Sequence, residues 1–192
     1  MFASTRDSMF ARLLLLGFAG FLMAAQTSCS VGDGEGKAGI RDPESPGTGT
    51  NTGNTFATTL TLKDSSGRIT GHFSRGELIT FELTVLNRTD AALDLSFPSS
   101  GGWHDFRVFD RGTDTARWAW QADKLFAAVV TKFTVPARGS QTFTGTWDQV
   151  SGDGIVPRGP YDAWGVFLPI PGQIPGLTPE ETQSPRVTFS ID

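Results

Sequence analysis

Cysteine is nearly missing from this chain: Cys29 stands alone among 192 residues, so no internal disulfide can form. Histidine occurs twice and tyrosine once. A zinc site needs about four N, S or O ligands, three of them protein groups even when the metal is catalytic. His72 and His104, with no usable thiol beside them, do not supply that set, and no metal or other cofactor is expected. Blocks of positive charge are also absent. Sixteen Lys and Arg are scattered among 20 Asp and Glu, for a formal net charge of −4. That lacks the clustered basic footprint of nucleic-acid binding. No G-x-S-x-G elbow is present. "GDGEGK" has glycines but no strand-to-helix context for a phosphate loop. His104 and Asp105 are adjacent, and neighbours on a strand point to opposite faces, so they do not pair as base and orienting carboxylate. We therefore expect no enzyme.

What is present divides into three parts: residues 1–28, 29–55 and 56–192. Arg6 and Arg12 precede the apolar run Leu13–Ala25. As a helix it would span roughly 20 Å, against about 30 Å for a bilayer core. A basic segment followed by a short apolar run reads as a signal peptide. Small residues Thr27 and Ser28 then precede Cys29. This segment resembles a bacterial lipoprotein signal, departing from it at Gln26, where an aliphatic residue is usual. The resemblance implies that residues 1–28 are removed and that Cys29 becomes the lipid-carrying first residue. The chain would then be exported and anchored to a membrane, on the periplasmic or cell-surface side. The other reading is ordinary secretory cleavage near "MAAQTS", giving a free secreted protein. A catalytic Cys29 would need a base and a shaped site, and neither is near in sequence.

Residues 29–55 are dominated by Gly, Ser, Thr, Asn, Pro and charge, with Val31 and Ile40 the only large aliphatics. Such a segment buries too little apolar surface to offset its ordering entropy, and a disordered tether is expected. From Phe56 the pattern changes to short alternating runs. "TTLTLKD" alternates through Leu60 and Leu62. "ELITFELTVLNRT" sets Ile79, Phe81, Leu83 and Val85 against Leu78, Thr80, Glu82 and Thr84. "ALDLSF", "DFRVFD", "ARWAW", "KFTVP", "SQTFTGTWDQ", "YDAWGVFLP" and "RVTFSID" continue the series. Period two with turn residues between runs signals half-buried strands. "QADKLFAAVVTKF" reads as a loop leading into a short strand at Val129–Phe133. Many short antiparallel strands predict an all-β, Ig-like two-sheet sandwich over residues 56–192, held by hydrophobic packing in the absence of a disulfide.

The central block resembles the BsuPI-type intracellular proteinase inhibitor domain. The matching series is Asn87-Arg88-Thr89, Phe97 before Ser100-Gly101, Asp105-Phe106 with Val108, Asp110 and Gly112, and Arg117-Trp118-Ala119-Trp120 with Phe126. Trp147-Asp148 and Gly159-Pro160-Tyr161 complete it. The resemblance covers about Thr80 to Phe167. It departs at Gly102, where the family often has Gln, and at His104, where it often has Tyr. It implies an Ig-like sandwich and, by the family's name, protease binding; with the export signal, the expected partner is a protease or another envelope protein.

A binding module of this kind would use a rigid loop, because preorganisation limits the cost of association. One candidate is the turn Ser100, Gly101, Gly102, Trp103 and His104, with Trp103 as an exposed aromatic anchor. A second is the Pro-rich "LPIPGQIPGLTPEE", Leu168–Glu181. In each case the bland alternative is a plain connection. A different class of function is a structural or carbohydrate-contacting envelope lipoprotein domain, for which an exposed Trp103 is the motive. The pair Trp118 and Trp120 is expected to pack into the core.

Overall fold

The structure, a computed structural model, describes residues 46–152 and 154–192. The segment read from sequence as a signal peptide, residues 1–28, and Cys29 lie outside the described residues. Among the described residues no helix is long and apolar enough to cross a membrane.

Among the described residues thirteen strands follow one another. They are β1 (Thr48–Thr52), β2 (Phe56–Lys63), β3 (His72–Phe73), β4 (Ile79–Asn87), β5 (Leu93–Phe97), β6 (His104–Asp110), β7 (Ala116–Ala119), β8 (Thr131–Val135), β9 (Ser140–Trp147), β10 (Val150–Ser151), β11 (Gly154–Ile155), β12 (Gly159–Phe167) and β13 (Val187–Ile191). A single 3₁₀ turn, Pro179–Thr182, precedes β13. One sheet has the order β1-β2-β4-β9 and the other β3-β13-β12-β6-β7, with small ladders β5-β8 and β10-β11 beside them. All pairings are antiparallel except the short parallel contact of β13 with β3. The all-β, Ig-like sandwich expected from the alternation is the fold.

The core lies between the two sheets. Of the two registers of β4, the one carrying Ile79, Phe81, Leu83 and Val85 faces inward, where each is buried. Leu60 and Leu62 of β2 and Phe143 and Trp147 of β9 join it from the same sheet. The opposing sheet supplies Phe106 and Val108 of β6, Phe167 of β12, and Val187, Phe189 and Ile191 of β13. Phe81 stacks on Phe106 across the interface at 5.5 Å, and Phe56 meets Phe167 edge-on at 5.2 Å. Burying each such side chain contributes about 1.5–3 kcal/mol, which is how the domain holds together without a disulfide. Gly145 of β9 allows a close approach of the sheets: a Cβ there would lie 2.7 Å from Phe106 and 2.8 Å from Trp120. The outer faces carry polar pairs such as Lys63–Glu82 at 2.7 Å and Thr84–Thr142 at 3.2 Å.

The disordered tether expected over residues 29–55 does not hold over its described part, residues 46–55. Thr48–Thr52 is a strand paired residue by residue with Ala57–Thr61. Hydrogen bonds of backbone and side chains, not apolar burial, hold this edge. The Asn51 amide donates to the Gln183 carbonyl, and the Glu181 carboxylate accepts the backbone N–H of Asn54 and of Thr55. The short strand expected at Val129–Phe133 is observed at Thr131–Val135.

Several motif residues are clamps. Asn87 is fully buried; its amide donates to the carbonyls of Ala91, Val135 and Pro136, and its oxygen accepts from both the N–H and hydroxyl of Thr89. It therefore ties the end of β4 to the turn after β8. Tyr161 donates to the Pro157 carbonyl at 2.6 Å and stacks on Phe189, a corner of the kind Ig-like folds build.

Candidate functional site: the loops at one end of the sandwich

Register places three loops together. His104 opens β6 opposite Phe167, the end of β12, and Phe97 closes β5 opposite Thr131, the start of β8. The turn 98–103, the connection 120–130 and the Pro-rich segment after Phe167 therefore share one end of the molecule. Direct hydrogen bonds link them. Leu168 donates its N–H to the Trp103 carbonyl, and Ile170 donates its N–H to the Ser96 carbonyl. Ser100 donates its N–H to the Ala127 carbonyl at 3.0 Å, and its Oγ accepts the Ala127 N–H at 3.1 Å.

The five candidate binding residues all belong to this end; Ser100 is exposed, while Gly101 to His104 are half-buried or buried. Ser100 is engaged with Ala127. Gly101 lies beneath the Phe126 ring, where a Cβ would be 3.0 Å from the ring carbons. Gly102 donates its N–H to Ser99 Oγ, and a Cβ there would sit 2.7 Å from that oxygen. Trp103 is not an exposed anchor. It is half-buried, its indole N–H donates to Thr131 Oγ1 at 2.8 Å, and its ring packs on Phe97 and Phe133. The cause is plain: a strand ladder, β5-β8, passes under the turn and supplies both aromatic neighbours and a hydroxyl acceptor. Trp118 and Trp120 are half-buried against the core, Trp118 stacking on Phe81 and Trp147, and Trp120 on Phe126. None of the five tryptophans is fully exposed.

His104 is 8% exposed and stacked between Trp120, at 4.4 Å, and Phe143, at 5.0 Å. Neither ring nitrogen has a hydrogen-bond partner of acceptable geometry. The Thr144 backbone and Asp105 favour the charged ring and Lys124 opposes it, but burial dominates and pushes the imidazole down to about 4. It is an inward-facing neutral ring.

The connection 120–130, read from sequence only as a loop, supplies the exposed layer. Leu125 is fully exposed at 101%, and Val129 and Val130 are more than half exposed. The signal was present in the sequence: "LFAAVV" is an apolar run without alternation, flanked by turn and strand. Beside it, the Pro-rich segment encloses an apolar cavity of about 210 Å³ lined by Phe167, Ile170 and Leu177. Among the described residues no cluster of three or more His, Cys, Asp or Glu side chains stands ready to hold a metal.

The class defined by this geometry is an Ig-like β-sandwich that presents loops from one end. The chain belongs to the BsuPI family, the intracellular proteinase inhibitors, whose sequence model matches residues 57–169. The match starts earlier than the resemblance seen from Thr80 and takes in β2 as well. No curated protein matches the chain significantly. Similar solved structures include the CARDB domain of a Pyrococcus furiosus protein in complex with di-metal ions, 14% identical, with a TM-score of 0.38 over 73% of this chain and 97% of that one. A Listeria innocua β-glucosidase in complex with glucose is 13% identical, with a TM-score of 0.36 over 69% of this chain. A β-glucosidase involved in saponin metabolism from intestinal bacteria is 12% identical, with a TM-score of 0.36 over 75% of this chain. The chain spans only 16% and 17% of the length of these two glucosidases. At these TM-scores nothing about catalysis or metal binding transfers to it.

Proposed function

We propose that the chain is a noncatalytic module of the cell envelope that binds and inhibits a proteinase, exported by its leader and anchored through a lipid on Cys29. The observation that carries the inhibitory reading is the family match over residues 57–169. The basic-then-apolar leader ending in Thr27-Ser28-Cys29 supports export and anchoring, although the family's name places its members inside cells. The loop-bearing end suits a binder, since its turns are pinned by reciprocal hydrogen bonds and lose little freedom on association. The carbohydrate-contacting alternative drew on an exposed Trp103, and that indole is engaged within the fold.

The test is inhibition of a panel of serine and metallo-proteinases by the purified chain. Dose-dependent inhibition of at least one, with no turnover of the chain as a substrate, is the expected result. Absence of inhibition and of binding across the panel removes the proteinase reading.

A further inference from the structure

We propose that the segment Lys124–Val130 is the part of this molecule that enters a proteinase's substrate cleft, with Leu125 filling an apolar specificity pocket. The inference rests on the inhibitory reading above and assigns it a place and a partner chemistry.

Leu125 projects into solvent with its whole side chain exposed. Folding normally recovers about 1.5–3 kcal/mol by covering such a side chain, and here that gain is forgone. From Leu125 to Val130 every residue is apolar, and only Phe126 is covered. Contiguous exposed apolar surface of this kind marks interaction sites.

The backbone around Leu125 is held on both sides. Lys124 donates its N–H to the Gln121 carbonyl, and its ammonium lies 4.4 Å from the centre of the Trp120 ring. Phe126 turns inward against Gly101 and Gly102 and stacks on Trp120. Ala127 is clamped by its two hydrogen bonds with Ser100, and Val129 donates its N–H to the Ala127 carbonyl. Within the described residues no hydrogen bond engages the backbone N–H or carbonyl of Leu125. The result is an irregular, non-helical segment with Lys124 and Phe126 turned toward the domain and Leu125 outward. Proteinases bind peptides as added strands, through main-chain hydrogen bonds and alternate side-chain pockets. A free backbone unit beside one projecting leucine matches that mode, and the bracing removes much of the entropic cost.

The partner chemistry follows from the side chain. A pocket lined by apolar groups accepts Leu125, whereas a pocket with a buried carboxylate, as in trypsin, requires a cation. Lys124 does not offer one, because its ammonium is engaged over Trp120.

The test uses the full purified chain against chymotrypsin, subtilisin, trypsin and the metallo-proteinase thermolysin, with Leu125→Asp and Leu125→Arg. Neither substitution disturbs a packed contact, so thermal midpoints equal to the parent's confirm that both variants fold. The expected result is inhibition of chymotrypsin or subtilisin and not of trypsin. Leu125→Asp should weaken it by at least about 30-fold, the loss that truncating a hot-spot side chain brings. Leu125→Arg should gain inhibition of trypsin, which no general loosening of the loop could produce. Unchanged inhibition by Leu125→Asp overturns the assignment of the loop and leaves the inhibitory reading intact, as does inhibition confined to metallo-proteinases or equal for trypsin. Failure of the parent chain against every proteinase overturns both.

Discussion

His104 shows how a single side chain links the packing of this domain to pH. In the unfolded chain its imidazole titrates near 6.5, while burial between Trp120 and Phe143 lowers that to about 4 in the folded state. Between those values the unfolded chain binds more protons, so stability falls as pH falls from about 6.5 to about 4. The loss is about 3 kcal/mol at most, or roughly 6–12 °C in thermal midpoint for a domain of this size. His104→Phe keeps the ring in the stack and removes both unpartnered nitrogens. Its midpoint should be flat across that window, and thermal melts from pH 7 to pH 4 measure the difference. Asp64 acts in a lower window. Its carboxylate accepts hydrogen bonds from the Ser66 side chain and the Arg68 backbone, which hold it at about 2, below its ordinary 3.8. Its contribution is present above pH 3.8 and is lost as pH falls through about 2, so melts continued from pH 4 to pH 2 separate it from His104. Asn87 offers a second residue-scale expectation. Asn87→Ala strips a donor from three carbonyls and an acceptor from Thr89, at a cost of about 1–3 kcal/mol that chemical denaturation would read.

At the scale of elements, strands with one wet face were legible in the sequence and strands without apolar residues were not. Leu60 and Leu62 of β2, and Phe143 and Trp147 of β9, announce both element and buried face by period two. β1 reads Thr-Gly-Thr-Asn-Thr and offers no such period. It is placed by contacts far along the chain, through Asn51 to Gln183 and through Asn54 and Thr55 to Glu181, and no local pattern can encode those. The same limit applies to the candidate site. The glycines of the turn at 101–102 marked a bend, but only the register of β5 with β8 brings Thr131 and Phe133 under Trp103 and turns an apparent anchor into a packed ring. Leu125 was visible as part of an apolar run; its exposure depends on which neighbours the fold spends on Phe126. Glu181 tests the account of β1. Glu181→Ala leaves the Asn54 and Thr55 amides without their acceptor, so hydrogen exchange at residues 48–55 should accelerate by roughly tenfold or more, in line with ~1–3 kcal/mol for an unsatisfied group. Glu181→Gln retains an oxygen for both amides, and protection close to the parent's is expected. Equal exchange in the parent and the alanine variant would show that the β1-β2 ladder alone holds the edge.

At the scale of the whole molecule, the proposed address and the proposed binding surface lie in different parts of the chain. The unit Arg41–Asp192 contains every strand of the described residues and all three loops of the candidate site, and Cys29 is not part of it. Changing the anchor should therefore leave recognition untouched. Cys29→Ser removes the thiol that would receive the lipid and is expected to move the protein from the membrane fraction to the soluble one. Its thermal midpoint and its inhibition of an apolar-pocket proteinase should equal those of the parent chain. Lipidation adds about 0.8 kcal/mol of membrane affinity per buried methylene, and stable anchoring takes more than one chain, so a fully acylated Cys29 should withstand high-salt washing where a peripheral association would not. Mass spectrometry of the mature N-terminus then decides between the two addresses. A first residue of acylated Cys29 establishes the anchor. A mature chain with an unmodified Cys29, or one starting beyond it, means release as a free protein and removes the membrane from the proposed function while leaving the inhibitory loop in place.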